Sequence, residues 1–170
     1  MRAPVVMIWP PFARRWRRVF AGCAIACAIG VASASTAYAD PQNPGDPAAT
    51  ACREFARSLD LAAAYYSEFA NALAIGEVDP NFRDPIVRTS NVTGRTALRL
   101  AATDAFNASM TPGLSTEVAT PMRSWSYGST KLLVLMGMRA GVERINNAAT
   151  ELNGDAHRAQ MACALAGTQA

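Results

Sequence analysis

The sequence predicts an all-α protein, an up-down-up-down four-helix bundle closed by one disulfide. Apolar residues recur at steps of three and four in four successive segments, which is the period of a helix that buries one face. No segment after residue 39 shows the two-residue alternation of a half-buried strand. Alanine, the strongest helix former, fills 25 of the 131 positions that follow residue 39. Four helices of about 20 to 28 residues with short connections favour this bundle.

The first predicted helix follows Asp46-Pro47, because aspartate suits an N-cap and proline suits the first helical turn. It ends at Gly76, and Pro80 breaks the chain soon afterwards. The residues that share its apolar face are Cys52, Phe55, Leu59, Ala62, Tyr66, Phe69 and Leu73.

The second predicted helix begins at Asp84-Pro85, which repeats the same start signal, and ends in the turn Thr111-Pro112-Gly113. Its inward stripe consists of Val87, Asn91, Gly94, Leu98, Ala101, Ala105 and Ala108. Because most of these side chains are small, we expect this helix to pack close to a neighbour.

The third predicted helix begins at Ser115 and carries Pro121 in an early turn. The apolar stripe of the fourth helix, from Val142 to Cys163, does not continue the phase of the third, which predicts a kink or a tight turn between Gly137 and Gly141. The alternative fold has three helices, of which the third is long and kinked. Such a helix would extend about 68 Å and would fit poorly into so small a domain.

Residues 1–39 are predicted to be an export signal that is cleaved after Ala39. An arginine-rich start precedes the apolar stretch Val19–Ala34, and the small-x-small triplet Ala37-Tyr38-Ala39 suits a signal peptidase. The alternative is a retained anchor, although the apolar run is shorter than the roughly 20 residues that cross a bilayer. Arg17-Arg18-Val19-Phe20 resembles a twin-arginine signal, so Sec and twin-arginine export both remain open.

The predicted organisation is therefore a signal peptide (1–39), a disordered Pro-rich linker (40–47) and a helical bundle domain (48–167). We expect the mature chain to be secreted, periplasmic or associated with the cell wall, with no transmembrane span. The mature chain would carry eleven basic and thirteen acidic residues, a net charge of −2. This balance disfavours nucleic acid as a partner, because neutralising phosphates requires a surplus of basic residues.

Two cysteines, Cys52 and Cys163, remain after the predicted cleavage, one near each end of the domain. A cysteine pair in an exported chain predicts a disulfide. In an up-down-up-down bundle, the start of the first helix lies beside the end of the fourth, which agrees with this pairing. The alternative, a thiolate metal site, would need more ligands than two cysteines and the single His157 provide.

No catalytic motif, metal site or cofactor site is predicted from the residues. Arg95 and Arg99 are candidates for ligand or partner contact, because they share one side of the second helix with Arg88 and could bind an anionic group; the alternative is an ordinary solvated helix face. Trp125 and Tyr127 lie in the richest aromatic cluster, followed by the apolar run that contains Leu133. A helix that is apolar on all sides is buried or meets a partner, so core burial of this cluster is the alternative to a contact surface.

The layout of the chain resembles that of small exported helical proteins of actinobacteria. The resemblance depends on the alanine-rich leader ending in Ala-Tyr-Ala-Asp, the Pro-rich linker, and a helical domain with Cys52 near its start and Cys163 near its end. It covers the whole chain and implies location and fold, with no catalytic motif to transfer.

Two functional hypotheses follow. In the first, the protein is an exported non-catalytic helical domain that binds a partner protein or an apolar ligand at the cell envelope. In the second, it is a small secreted all-helical enzyme that holds an anionic substrate with Arg95 and Arg99 and acts by electrostatic positioning.

Overall fold

The computed structural model describes residues 46–74 and 81–168. Within these ranges the chain forms four α-helices and no strand: α1 (Pro47–Ala74), α2 (Pro85–Ala108), α3 (Thr116–Gly137) and α4 (Val142–Leu165). The predicted four-helix bundle is therefore confirmed. The predicted signal peptide, its cleavage site and most of the predicted linker lie outside the described residues.

Helices α1 and α2 both begin at the predicted Asp-Pro pairs. The Ala48 N–H donates to Oδ1 of Asp46 at 2.9 Å, and the Ile86 N–H donates to Oδ1 of Asp84 at 2.7 Å. Each following proline is the first helical residue, where its missing N–H leaves no hydrogen bond unmade. Helix α1 thus starts one residue before the domain boundary predicted at residue 48.

Helix α3 begins after Ser115 and includes Pro121 in its second turn. The first turn holds Glu117, whose carboxylate accepts hydrogen bonds from its own backbone N–H and from the Ser115 side chain, and these bonds lower its pKa. A negative charge at this position also suits the positive end of the helix dipole.

The turn between α3 and α4 depends on Arg139, which adopts the left-handed conformation with φ 53°. The Ala140 N–H then bonds back to the carbonyl of Leu135 at 3.0 Å, as in helix ends that are usually closed by glycine. The guanidinium of Arg139 lies 5.6 Å from the ring centroid of Phe82. Because α3 ends here and α4 starts at Val142, the alternative fold with one long kinked helix is wrong.

Side-chain contacts show that α2 and α3 are antiparallel. Near the start of α2, Nδ2 of Asn91 donates to the carbonyl of Met136 near the end of α3 at 3.3 Å. Further along α2, the carbonyl of Ala102 accepts a hydrogen bond from the hydroxyl of Ser126 in the middle of α3 at 2.7 Å. Each pair of consecutive helices packs extensively, whereas α1 and α4 pack less extensively.

Helix α3 lies close to α4 at Gly128. A Cβ atom at this position would lie 3.0 Å from Cδ1 of Leu152 and 3.3 Å from Oδ2 of Asp155. The absence of a side chain at residue 128 therefore permits the close contact with α4 at this point.

The core contains residues from all four helices. The largest side chains that are fully buried are Trp125, Phe55, Phe69, Leu98, Met122, Leu132, Met136 and Ile145. Most of the remaining buried positions in α2 and α4 are alanines, which agrees with the prediction that the second helix packs closely.

The disulfide joins Cys52 in α1 to Cys163 in α4, with their Cα atoms 5.9 Å apart. This pairing confirms the predicted bridge and links two helices that pack less extensively than the consecutive pairs do. Beyond Cys163, Gly167 has φ 76°, and the Thr168 N–H donates to the carbonyl of Cys163 at 3.0 Å. Both cysteine side chains are buried.

Candidate functional site

The solvent-facing side of α2 and α3 brings apolar and cationic side chains together. We call it the α2–α3 face. Its members are Val92, Arg95, Arg99, Phe106 and Met110 from α2 and the turn after it, and Arg123, Tyr127, Val134 and Met138 from α3 and the turn after it. They repeat along each helix mainly at intervals of four and seven residues, which places them on one side.

Two rings bridge the helices on this face. The centroids of Phe106 and Tyr127 lie 6.3 Å apart, with their planes inclined at 56°. Tyr127 remains 64% exposed, and Val134 and Met138, seven and eleven residues further along the chain, are 47% and 64% exposed. Such large apolar side chains, grouped rather than scattered, are typical of a contact surface.

Arg95 and Arg123 fill the space between the two helices at opposite ends of the face. Arg95 packs on Gly137, where a Cβ atom would lie 3.2 Å from Nη2 of Arg95. Arg123 donates from Nε to the hydroxyl of Ser109 and from Nη2 to its carbonyl, each at 3.3 Å. The groove between α2 and α3 is thereby filled at the contacts made by Arg95, Arg123 and the two rings.

The cationic charge of this face is not neutralised within the described part of the chain. The ion pairs there are Arg57–Glu54, Lys131–Glu151 and Arg158–Asp155. Arg95, Arg99 and Arg123 therefore form no ion pair among residues 46–74 and 81–168. Nε of Arg95 is also buried without a hydrogen-bond partner in these ranges.

Carboxylates are scarce on α2 and α3. These two helices carry five basic and two acidic residues, whereas α1 and α4 carry four basic and six acidic residues. Of the two acidic residues, Asp104 is turned about 140° around α2 from Arg99. The other, Glu117, is bonded within the first turn of α3. The bundle therefore has a cationic side and a more acidic side.

The structure separates the five predicted contact residues into surface and core positions. Arg95, Arg99 and Tyr127 lie together on the α2–α3 face, although the sequence suggested them for different reasons. Trp125 is completely buried, and its ring meets Phe55. This burial corrects the expectation that Trp125 contacts a partner, because a bulky apolar side chain at this position points into the bundle. Leu133 is only half-buried and packs against the core.

Six members of this face were not predicted as contact residues from the sequence. They are Val92, Phe106, Met110, Arg123, Val134 and Met138. Helical spacing was the available signal, since Phe106 lies seven residues after Arg99 and Val134 lies seven residues after Tyr127. Their meeting across two helices also required the antiparallel register of α2 and α3, which one helix alone does not define.

A shallow groove of about 610 Å³ lies between the end of α1 and the start of α2. It is lined by Glu68, Asn71, Ala72, Pro85, Ile86, Thr89, Ser90 and Thr93. Neither Arg95 nor Arg99 lines this groove. The described residues contain no group of three or more histidine, cysteine, aspartate or glutamate side chains that could hold a metal ion. None of the four described helices is long and apolar enough to cross a membrane.

Together these features define a small helical bundle closed by a disulfide, with a mixed apolar and cationic face. The chain belongs to the Rv2240c four-helix bundle domain family, whose model matches residues 32–164. This is a mycobacterial-type family, which agrees with the resemblance to small helical proteins of actinobacteria. No curated protein and no solved structure matches the chain.

Proposed function

We propose that this protein is a non-catalytic helical domain that is exported and binds a partner at the cell envelope through the α2–α3 face. The observation that carries the proposal is the grouping of exposed Tyr127, Val134 and Met138 with Phe106 and three arginines that form no ion pair within the described residues. Aromatic residues, methionine and arginine are the types enriched in interfaces.

The predicted leader supports export, because an arginine-rich start, an apolar run and Ala37-Tyr38-Ala39 follow one another in the expected order. Expression of the full chain in an actinobacterium, followed by fractionation and N-terminal sequencing, tests this part. We expect the recovered protein to begin at Asp40. A protein found only in the cytoplasm with residues 1–39 still attached would contradict export.

Photo-crosslinking tests the binding surface. A photoreactive phenylalanine analogue replaces Tyr127 in one variant and Arg57, an exposed residue of α1, in the control. We expect envelope components to be crosslinked from position 127 and not from position 57. Equal crosslinking from both positions, or none from position 127, would contradict a role for the α2–α3 face.

The enzymatic hypothesis lacks a comparable observation. Arg99 is exposed, Arg95 packs on Gly137, and neither borders the groove between α1 and α2. We therefore propose binding rather than catalysis.

A further inference from the structure

We infer that the partner of the α2–α3 face is an anionic lipid surface, on which α2 and α3 lie flat. This inference depends on the proposed binding role of the same face and identifies what it binds. It follows from the shape of the face, from the sign of its charges, and from the placement of its apolar side chains.

The shape suits a flat partner. A helix from a partner protein usually lies in a groove between two helices. Here the contact of Phe106 with Tyr127, the guanidinium of Arg95 on Gly137 and the bonds from Arg123 to Ser109 fill that space. Two antiparallel helices of 24 and 22 residues, each about 35 Å long, then present their outer sides with the space between them filled at these contacts.

The positive charge of the α2–α3 face suits a partner whose charges are all negative. A protein interface uses charges of both signs to select and orient its partner. Arg95, Arg99 and Arg123 have no carboxylate partner in the described chain, and Asp104 is turned away from them around α2. The guanidinium group matches phosphate geometry with paired N–H donors, and basic residues close to an anionic membrane gain electrostatic energy.

The apolar side chains suit the boundary between headgroups and acyl chains. Met110, Tyr127, Val134 and Met138 are each about half-exposed or more, so they can enter this boundary while the bundle stays folded. Tyr127 combines an apolar ring with a polar hydroxyl, as do the aromatic residues that collect at membrane interfaces. A surface-bound helix pair of this kind needs no membrane-spanning helix.

Vesicle binding of the protein recovered after export tests the inference. The probes are vesicles of phosphatidylcholine alone and vesicles of phosphatidylcholine and phosphatidylglycerol in equal parts, measured by co-sedimentation. We expect binding to the anionic vesicles at least tenfold above binding to the neutral ones, and a steep decrease with added salt because exposed charges are screened. Equal binding to both vesicles, or no binding to the anionic ones, would overturn the inference.

Matched variants locate the contact. Arg99→Gln should weaken binding to anionic vesicles by about fivefold, the effect of one basic residue near such a surface. Arg57→Gln, at an exposed position of α1, is the control and should leave binding unchanged. Tyr127→Trp should show a blue shift of the added indole fluorescence with anionic vesicles, whereas buried Trp125 provides a constant background. If Arg99→Gln leaves binding to anionic vesicles unchanged, the inference is overturned. This applies also when the binding occurs through a retained leader.

The crosslinking result separates the two proposals. If position 127 crosslinks a protein while anionic vesicles do not bind, the inference about lipid is wrong and the proposed binding role of the face stands. If anionic vesicles do not bind the protein and position 127 crosslinks no envelope component, both proposals fail.

Discussion

Phe55 in α1 meets Trp125 in α3 edge to face, with ring centroids 5.4 Å apart and planes inclined at 86°. The two helices are not consecutive in the chain, so this pair ties together the two halves of the bundle. Such an aromatic contact adds about 0.5 to 1.5 kcal/mol beyond the burial of apolar area. Because the bundle has this core contact, its helices do not depend on the disulfide alone.

We therefore expect Cys52→Ala to reduce stability without abolishing the helices. The loss should be about 2 to 5 kcal/mol, because the free chain between residues 52 and 163 regains conformational freedom. Circular dichroism at low temperature should remain close to that of the unmodified protein, while the melting temperature falls. Reduction of the unmodified protein is the control and should cause a similar decrease. Free thiols titrating in the exported protein would contradict the bridge.

Two buried serines one turn apart in α3 provide a matched pair. The Ser126 hydroxyl donates to the carbonyl of Ala102, whereas the Ser129 hydroxyl has no hydrogen-bond partner among the described residues. We expect Ser126→Ala to lower the free energy of unfolding by about 1 kcal/mol, the net value of a buried hydrogen bond. Ser129→Ala should be neutral or stabilising, because alanine removes an unpaired hydroxyl and favours helix. Chemical denaturation measures both, and a greater loss from Ser129→Ala than from Ser126→Ala would contradict this assignment.

Two helical glycines provide a second matched pair. Gly154 in α4 has space for a methyl group, with Arg158 Nη1 as the nearest atom at 3.5 Å. Gly154→Ala should therefore raise the free energy of unfolding by about 0.5 to 1 kcal/mol, since alanine loses less backbone entropy on folding. Gly128→Ala should not give this increase in stability, because its Cβ would lie only 3.0 Å from Cδ1 of Leu152. Equal stabilisation by both substitutions, measured by thermal unfolding, would show that α3 and α4 separate at little cost.

Because Tyr66 is buried, we expect the folded protein to lose stability at alkaline pH. Burial raises the pKa of its phenol from 10.0 to about 12, because the phenolate is poorly solvated in the bundle. The folded state thus keeps a proton that the unfolded state releases, so the contribution to stability is complete below pH 10 and is lost as the pH rises towards 12. Phenolate absorbance should show a late ionisation that is missing in Tyr66→Phe. An identical titration curve for the variant would contradict the assignment.

Local signals in the sequence predicted the helices well. The aspartate of each Asp-Pro pair caps its helix, because its carboxylate accepts a backbone hydrogen bond at the start of α1 or α2. The apolar stripe around Phe55 is buried as expected. These features depend on residues within one or two turns. The disulfide was also predictable, because the order of four antiparallel helices brings Cys52 and Cys163 to one end.

The candidate site was less predictable because it depends on two helices at once. Tyr127 and Trp125 are two residues apart, yet one is mostly exposed and the other is in the core. Only the orientation of α3 against its neighbours distinguishes them. The tight turn between α3 and α4 lies between Gly137 and Gly141, as predicted, but the residue in the left-handed conformation is Arg139, which the sequence did not indicate.

The bridge from α1 to α4 also changes how the molecule responds to a cut or a pull. The three connections that join the four described helices lie inside the ring of chain that Cys52 and Cys163 close. A protease that severs one connection therefore leaves two fragments covalently attached, and they separate on a gel only after reduction. For the same reason, tension applied to the chain outside residues 52 and 163 passes through the sulfur atoms and bypasses the helical segments between these two residues.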